Sequence, residues 1–303
     1  MMLVKRRSEP VELMSIRYLN TRMELTEKEK LQYSNLEKGY EGEVKFDHLA
    51  EILQEERLII NDLLLEVNNS YFQIDTLIIS ESMIHLLEIK NFQGDWYLEY
   101  DKLYTVTAGR EYKNPIYQLK RSAALLRQLL QTLKQNYPVE ASVVFINPEF
   151  TLYQAPMDQP IVLPTQVNRF IKDLNKTPSK LNDGHTKLAQ HLMSLHQPKN
   201  PFTVWPKYHF EQLKKGMHCK NCKSLPLTIK SKDLVCKKCG GNEKIEQAIL
   251  RNIKEFQLLF PERKLTTQNI YEWCNLDLSK RTICRVLKKN YTALGSTSNT
   301  YYV

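Results

Sequence analysis

The chain has 303 residues, 42% of them hydrophobic and 25% charged, as in an ordinary globular protein with room for two or more domains. No apolar run approaches the roughly 18 residues of a membrane span. The opening M-M-L-V-K-R-R-S-E-P has no apolar core of signal-peptide length, so the expected compartment is the cytoplasm and no membrane partner is expected. The net charge of +9 is unevenly spread: residues 198–303 hold 20 Lys and Arg against 8 Asp and Glu, whereas residues 1–197 hold 23 against 26. A basic half on a near-neutral one points to a polyanion, most often nucleic acid, with generic solubility charge as the alternative.

Residues 1–34 are polar and mixed in charge, and T-E-K-E-K at 26–30 marks a helix start. They read as a loosely attached arm or peripheral helix. From 35 to 56, Leu36, Tyr40, Val44, Phe46, Leu49, Ile52 and Leu53 recur at near-helical spacing. Glu43 lies beside that stripe, where a carboxylate can reach a sheet; the alternative puts it on the exposed face with Glu41 and Lys45. Gly39 and Gly42 weaken this helix and make sense if backbone or substrate must come close. Residues 58–67 read as a first strand, although Asn61-Asp62 leaves room for a turn.

Residues 71–90, Y-F-Q-I-D-T-L-I-I-S-E-S-M-I-H-L-L-E-I-K, organise the chain as a hairpin. A two-residue loop at Glu81-Ser82 sets Asp75 opposite Glu88 and Gln73 opposite Lys90, with Glu88 and Lys90 on one face. Opposed carboxylates repel, and a divalent cation between them supplies a reason for the pattern. The alternative is a solvated strand face. Against it, both acids sit in apolar runs, and buried carboxylates are rare without a partner or a metal. A longer loop would shift the facing pair.

W-Y-L-E-Y and L-Y-T-V around Asp101-Lys102 form a second hairpin, whose aromatics either pack on the sheet or stack on bases. Asn114-Pro115 starts a helix running to about Gln135, with Ile116, Leu119, Ala123, Leu126 and Leu130 on one face. Gln118, Lys120 and Arg121 sit in its first turns, and from the residues alone Gln118 is a surface glutamine. Residues 139–147 read as a buried strand, followed by helices near 165–174 and 184–196.

Glu41-Gly42-Glu43 on a helix, Q-I-D and E-I-K on a hairpin, and N-P-x-x-Q at Asn114 to Gln118 together resemble the nuclease-related domain, NERD, of the PD-(D/E)xK nuclease superfamily. The likeness covers roughly residues 35–150. It implies an α/β fold with a mixed sheet flanked by helices, and Mg²⁺- or Mn²⁺-dependent cleavage of DNA. By this resemblance Asp75 and Glu88 are metal ligands, Lys90 the catalytic lysine, Glu43 the helix-borne acid and Gln118 a residue near the active site. The superfamily's proline before the first acid is replaced here by Ile74.

Residues 198–215, with Pro198, Pro201 and Pro206, read as a linker after a first domain at 35–197. Cys219-x2-Cys222 and Cys236-x2-Cys239 then have the spacing of a structural four-cysteine Zn²⁺ site, a zinc ribbon at 216–243, with disulfides as the alternative. Gly240-Gly241 permits a tight backbone behind the last cysteine, and His218 reads as a bystander. Residues 244–303 read as a helix, then a helix pair, then a hairpin around Gly-Ser-Thr-Ser-Asn, an order that resembles a winged helix-turn-helix. Ser279 would cap the second helix of the pair, and Arg281, Arg285, Lys288 and Lys289 would give it a basic, nucleic-acid-binding face; an interaction or dimerisation module is the alternative. Cys274 and Cys284 read as core residues.

The expectation is a metal-dependent DNA nuclease, with Lys90 orienting or deprotonating the attacking water. The competing expectation is a DNA-binding or regulatory protein that keeps the fold without cutting. The same basic and zinc-ribbon features would serve RNA equally well.

Overall fold

The structure, a computed structural model, describes residues 2–224, 227–276, 279–296 and 299–303. It divides into two compact units: residues 1–9 with 35–203, and residues 10–34 with 204–303. Among the described residues no helix is long and apolar enough to cross a membrane.

Chain order begins with strand β1 (Met2–Lys5), helix α1 (Val11–Arg22) and helix α2 (Glu27–Ala50). Strands β2 (Leu58–Val67), β3 (Ser70–Ile79), β4 (Ile84–Lys90), β5 (Gly94–Glu99), β6 (Lys102–Thr105) and β7 (Glu111–Tyr112) precede helix α3 (Pro115–Thr132). Next come β8 (Val139–Phe145), β9 (Phe150–Tyr153), β10 (Ile161–Val162), α4 (Pro164–Lys176) and α5 (Asp183–Ser194).

The first unit is built on a mixed six-stranded sheet in the order β1-β2-β3-β4-β8-β10, beside a four-stranded sheet in the order β7-β6-β5-β9. β4, β8 and β10 run parallel, and the β2–β3–β4 meander is antiparallel. The central strands are apolar on both faces because helices cover both. On one side Leu63, Leu77 and Leu86 pack with Ile116, Leu119 and Leu126 of α3 and Leu188 and Leu192 of α5. On the other, Ile59, Ile78 and Leu87 pack with Phe46 of α2 and Ile171 of α4. A strand buried on both faces cannot show the alternation of a half-exposed one.

The hairpin at 70–90 closes through the two-residue loop Glu81-Ser82, with Ser80 N–H donating to Met83 O at 2.9 Å and Thr76 opposite Leu87. β2 continues through Asn61-Asp62 without a turn, and Asp62 absorbs the irregularity with φ 56°. The second hairpin turns at Tyr100-Asp101, both at positive φ, as a tight two-residue hairpin turn requires. Trp96, Leu98 and Leu103 face the core, while Tyr97 and Tyr104 stack on the other face. Asn114 caps α3 by accepting from Ile116 N–H, and the helix ends at Thr132, short of Gln135.

The expected loose arm at 1–34 is instead built into both units. Met2 to Lys5 pair in parallel with β2. Leu13, Ile16 and Leu19 of α1 are buried, and Thr26 and Glu29 form a reciprocal cap at the start of α2. Leu13, Ile16 and Leu19 recur every three residues, a helical spacing, within a segment whose overall composition is polar. Ile52, expected on the buried stripe, is exposed because α2 ends at Ala50.

The second unit contains β11 (Leu227–Lys230), β12 (Asp233–Cys236) and β13 (Asn242–Lys244), helices α6 (Ile245–Leu259), α7 (Thr267–Cys274) and α8 (Lys280–Asn290), and the pair β14 (Ala293–Leu294) and β15 (Tyr301–Tyr302). Leu265 bridges to Tyr302 beside that pair. Ser279 caps α8 by accepting from Thr282 N–H. Leu225, Pro226, Asp277, Leu278, Thr297 and Ser298 lie outside the described residues, and with them part of the expected Gly-Ser-Thr-Ser-Asn hairpin. Cys274 is in the core, but Cys284 is only half-buried, 3.7 Å from the Tyr302 hydroxyl, because its helical position falls at the edge of the stripe made by Ile283, Val286 and Leu287.

Trp273 is fully buried among Phe210, Phe256 and Phe260. Arg22 of α1 lies 3.7 Å over its ring and donates to Glu255 at 2.6 Å, both ends of that ion pair being buried. Arg22→Ala is expected to cost about 3–5 kcal/mol, because Glu255 would remain as an unpaired buried charge. Urea unfolding of the variant measures this, and a loss below about 1 kcal/mol would contradict it.

Candidate functional site

The acidic site forms where the β3–β4 ladder stops. Backbone pairing of the two strands extends only to Thr76 and Leu87, whereas β4 pairs with β8 along its whole length. Beyond that point the Asp75 carboxylate takes over, accepting from Ile89 N–H at 2.7 Å. Gln73 and Lys90, expected opposite each other, are therefore not in the ladder; Gln73 instead pairs with Leu64 of β2.

Glu88 is 1% exposed. Its Oε1 accepts from Lys90 Nζ at 2.5 Å, and its Oε2 is buried with no partner among the described residues. An orphaned carboxylate oxygen of this kind is costly and fits a place where a cation would bind. Glu43 on α2 faces this cluster and not the solvent side of its helix; its carboxyl is 18% exposed.

Gly42 explains how α2 comes so close. A Cβ there would lie 2.5 Å from Asn91 Cβ and 3.2 Å from Ile146, so only glycine permits the approach. Gly39 has no such neighbour, so the need for space applies to Gly42 alone. Gln118 is half-buried on α3, one turn before Ser122, whose hydroxyl reaches Gln73 O at 3.5 Å.

Sequence reading missed the basic partners. Arg7 donates to Glu43 at 2.7 Å and to Asp47 at 2.9 Å. Lys5 donates to the carbonyls of Asn61 and Asp62, with the Asp62 carboxylate 3.7 Å away. The K-R-R run at 5–7 showed only as a basic stretch, because nothing local tells which side chain turns inward.

Burial, reinforced by the charge of Asp75, pushes the Glu88 carboxyl up to about 7 and that of Glu43 up to about 8. Burial also raises Asp75, against the pull of Lys90 and the Ile89 amide. Burial acts to lower Lys90, but Glu88 and Asp75 outweigh it and hold the ammonium above its ordinary value. Among the described residues no three of these acids converge closely enough to share one ion; Asp75 and Glu88 are the pair that fits a divalent cation, with the orphaned Glu88 oxygen as the reason.

The second cluster is sulfur. All four ligand atoms of Cys219, Cys222, Cys236 and Cys239 lie within 4.8 Å of one another. The Cys219–Cys239 and Cys222–Cys236 Sγ pairs are 3.6 and 3.5 Å apart, and all six cysteines of the chain are free thiols. Sulfurs at 2.3 Å from a tetrahedral zinc would be separated by about 3.8 Å, so the cluster is consistent with a zinc site and not with disulfides. The two knuckles match: Lys223 N–H donates to Cys219 O, and Gly240 N–H to Cys236 O, each at 3.0 Å. Both residues have positive φ, 57° at Lys223 and 70° at Gly240. At Gly241 a Cβ would crowd the exposed Asn221 amide at 2.6 Å and lie 3.3 Å from Cys239 Sγ, so a side chain there would displace Asn221. His218 turns away and contacts Thr21 O.

On α8, Arg281, Arg285, Lys288 and Lys289 are all exposed, and Lys289 pairs with Glu246 at 2.7 Å.

Residues 38–146 match the family model of NERD, the nuclease-related domain. The match runs from the middle of α2 to the residue after β8, so it takes in Glu43, Asp75, Glu88, Lys90 and Gln118 and leaves out Arg7 and the second unit. No curated protein and no solved structure matches the chain.

Glu88 and Glu43 keep protons in the folded metal-free protein that the unfolded chain releases near 4.5, so that protein loses stability as pH rises from about 4.5 towards 8. A divalent cation between Asp75 and Glu88 would bind their deprotonated carboxylates. Mn²⁺ held at one concentration, a hundred times its Kd at pH 8, is expected to stabilise by about 2.7 kcal/mol there and to raise Tm less at pH 6, where protons compete for the carboxylates. Thermal unfolding at the two pH values checks this, and equal shifts would contradict it. Metal analysis is expected to find one Zn²⁺ per chain, lost in Cys222→Ser/Cys236→Ser together with folding of the 216–243 segment. Retained zinc in that variant would exclude the cysteine site.

Proposed function

We propose that the chain is a metal-dependent nuclease that hydrolyses DNA phosphodiester bonds, with Asp75, Glu88 and Lys90 at its centre. The observation that carries this reading is the orphaned, buried Glu88 Oε2 beside Asp75, within a region that matches a nuclease-related domain. Asp75 and Glu88 would hold Mg²⁺ or Mn²⁺, which when bound offsets phosphate charge and makes a coordinated water more acidic.

The chain's own residues do the rest. The Ile89 amide and the end of the ladder fix the Asp75 carboxylate in orientation. In the metal-free protein Lys90 is held on Glu88 as an ammonium, a cation placed to offset negative charge at the reacting phosphate. Glu43 is the nearby acid that burial keeps near neutrality, able to hold or release a proton around pH 8. Gln118 would contact substrate from α3. The Lys90 side chain keeps 21% of its surface exposed, which would let a phosphate reach it.

The second unit supports substrate retention. Exposed Arg281, Arg285 and Lys288 on α8, with Lys289, would contact phosphates, and helix α7, helix α8 and the β14–β15 pair have the order of a winged helix-turn-helix. The cysteine site would hold the ribbon in shape as a structural zinc centre.

Cleavage of linear, nicked and supercoiled DNA with Mg²⁺, Mn²⁺ or EDTA is the test, run beside Lys90→Ala and Glu88→Ala. Metal-dependent cutting is expected from the wild type, reduced at least a hundredfold in Lys90→Ala, with DNA affinity changed less than threefold. DNA bound but uncut under every condition would make the chain a binding protein, and cutting retained in Lys90→Ala would remove that lysine from the mechanism.

A further inference from the structure

The residue at the heart of the acidic cluster comes from outside the matched region. The Arg7 side chain is 3% exposed, and its guanidinium makes five hydrogen bonds. Nε and Nη2 take the two oxygens of Asp47 at 2.9 and 3.1 Å. Nη1 takes Glu43 Oε2 at 2.7 Å, and Nη2 also reaches Asp75 O at 2.9 Å and Thr76 Oγ1 at 3.0 Å. A guanidinium so enclosed and so fully engaged has no fork left for a phosphate arriving from solvent. It is not a substrate arm.

What it does is divide the carboxylates into two sets. Glu43 and Asp47 are already engaged by a cation that never loses its proton, through Glu43 Oε2 and both Asp47 oxygens. Asp75 and Glu88 are not: Asp75 spends one oxygen on the Ile89 amide, Glu88 spends one on Lys90, and the other Glu88 oxygen is buried without a partner among the described residues. Two-ion phosphodiesterase centres place their ions about 3.5–4 Å apart between shared carboxylates. Here a second ion on the α2 side would need the oxygens that Arg7 holds and would sit against its fixed positive charge.

We infer that Arg7 is a built-in cation of this centre, holding Glu43 and Asp47 so that the site takes one divalent ion, between Asp75 and Glu88, and not two. Arg7 is thus a positioning residue: its bonds to the Asp75 carbonyl and the Thr76 hydroxyl tie α2 to the strand that carries the first acid. Lys5, two residues earlier, does the same for Asp62 through its Nζ. The inference rests on the reading of Asp75 and Glu88 as metal ligands.

The test counts Mn²⁺ bound to the full chain with its cysteine site filled with Zn²⁺, by titration followed with electron paramagnetic resonance, using Asp75→Asn as the blank. One ion per chain above the blank, with the spectrum of an isolated Mn²⁺, is expected. Two ions above the blank, with the broadened spectrum of a coupled pair, would overturn the role of Arg7 and leave the metal reading standing. No binding above the blank would overturn both. Arg7→Gln, where it folds, is expected to bind a second Mn²⁺ with a coupled-pair spectrum. A folded Arg7→Gln that still binds a single ion with wild-type affinity would overturn the inference, and the wild-type count decides the matter if this variant does not fold.

Discussion

A single hydrogen bond, from the Ile89 amide to the Asp75 carboxylate, stands where two strands stop pairing in the middle of a buried sheet. Had the β3–β4 ladder continued, that amide would have gone to a backbone carbonyl. The side chain takes it instead, and β4 keeps its other edge fully paired with β8. The result is a short opening in an otherwise sealed sheet. Two acids are brought there by register, and the strands on either side are held rigid by their remaining partners. A site on such elements keeps its geometry better than one on loops.

Acids in that position have an electrostatic price, and the cations around them follow from it. Water is excluded, so each carboxylate is pushed towards its neutral form, and each neighbouring carboxylate pushes further. Lys90 answers this from the same strand face as Glu88. Arg7 answers it from the N-terminal segment, where burial disfavours its charge but Asp47, Glu43 and Asp75 outweigh that effect. Gly42 is part of the same solution, since without it α2 could not bring Glu43 and Asp47 near enough to share the guanidinium. One Glu88 oxygen remains buried without a partner among the described residues.

The second unit solves a different problem. Its ribbon joins two knuckles and three short strands, and four thiols converge between the knuckles in a cluster consistent with a structural zinc site. The rest is organised by Trp273 and its ring of phenylalanines, onto which α1 is fastened by the Arg22–Glu255 pair. This leaves α8 free to carry its charge outward: its apolar stripe, Ile283, Val286 and Leu287, is spent on the core, and its basic residues are solvent-facing.

Much of this was legible in the chain. Local rules are enough for the Asn114-Pro115 helix start, the Ser279 cap, the two-residue loop that sets Asp75 against Glu88, and the two Cys-x2-Cys knuckles, because each depends on residues a few positions apart. The spacing of those motifs also carried the likeness to a nuclease-related domain. Tertiary structure alone decided which residues meet across long separations. Arg7 and Glu43 are 36 positions apart, and Arg22 and Glu255 are 233 apart. No periodicity marks a lone arginine in a polar stretch as buried, because its partners are supplied by elements that exist only after folding. The early termination of the β3–β4 ladder was likewise hidden, since it shows only where the Ile89 amide turns to the Asp75 carboxylate. The sequence determined which acids face each other; the fold decided which cations come to them, because charges buried together must be balanced by whatever the packed chain brings within reach.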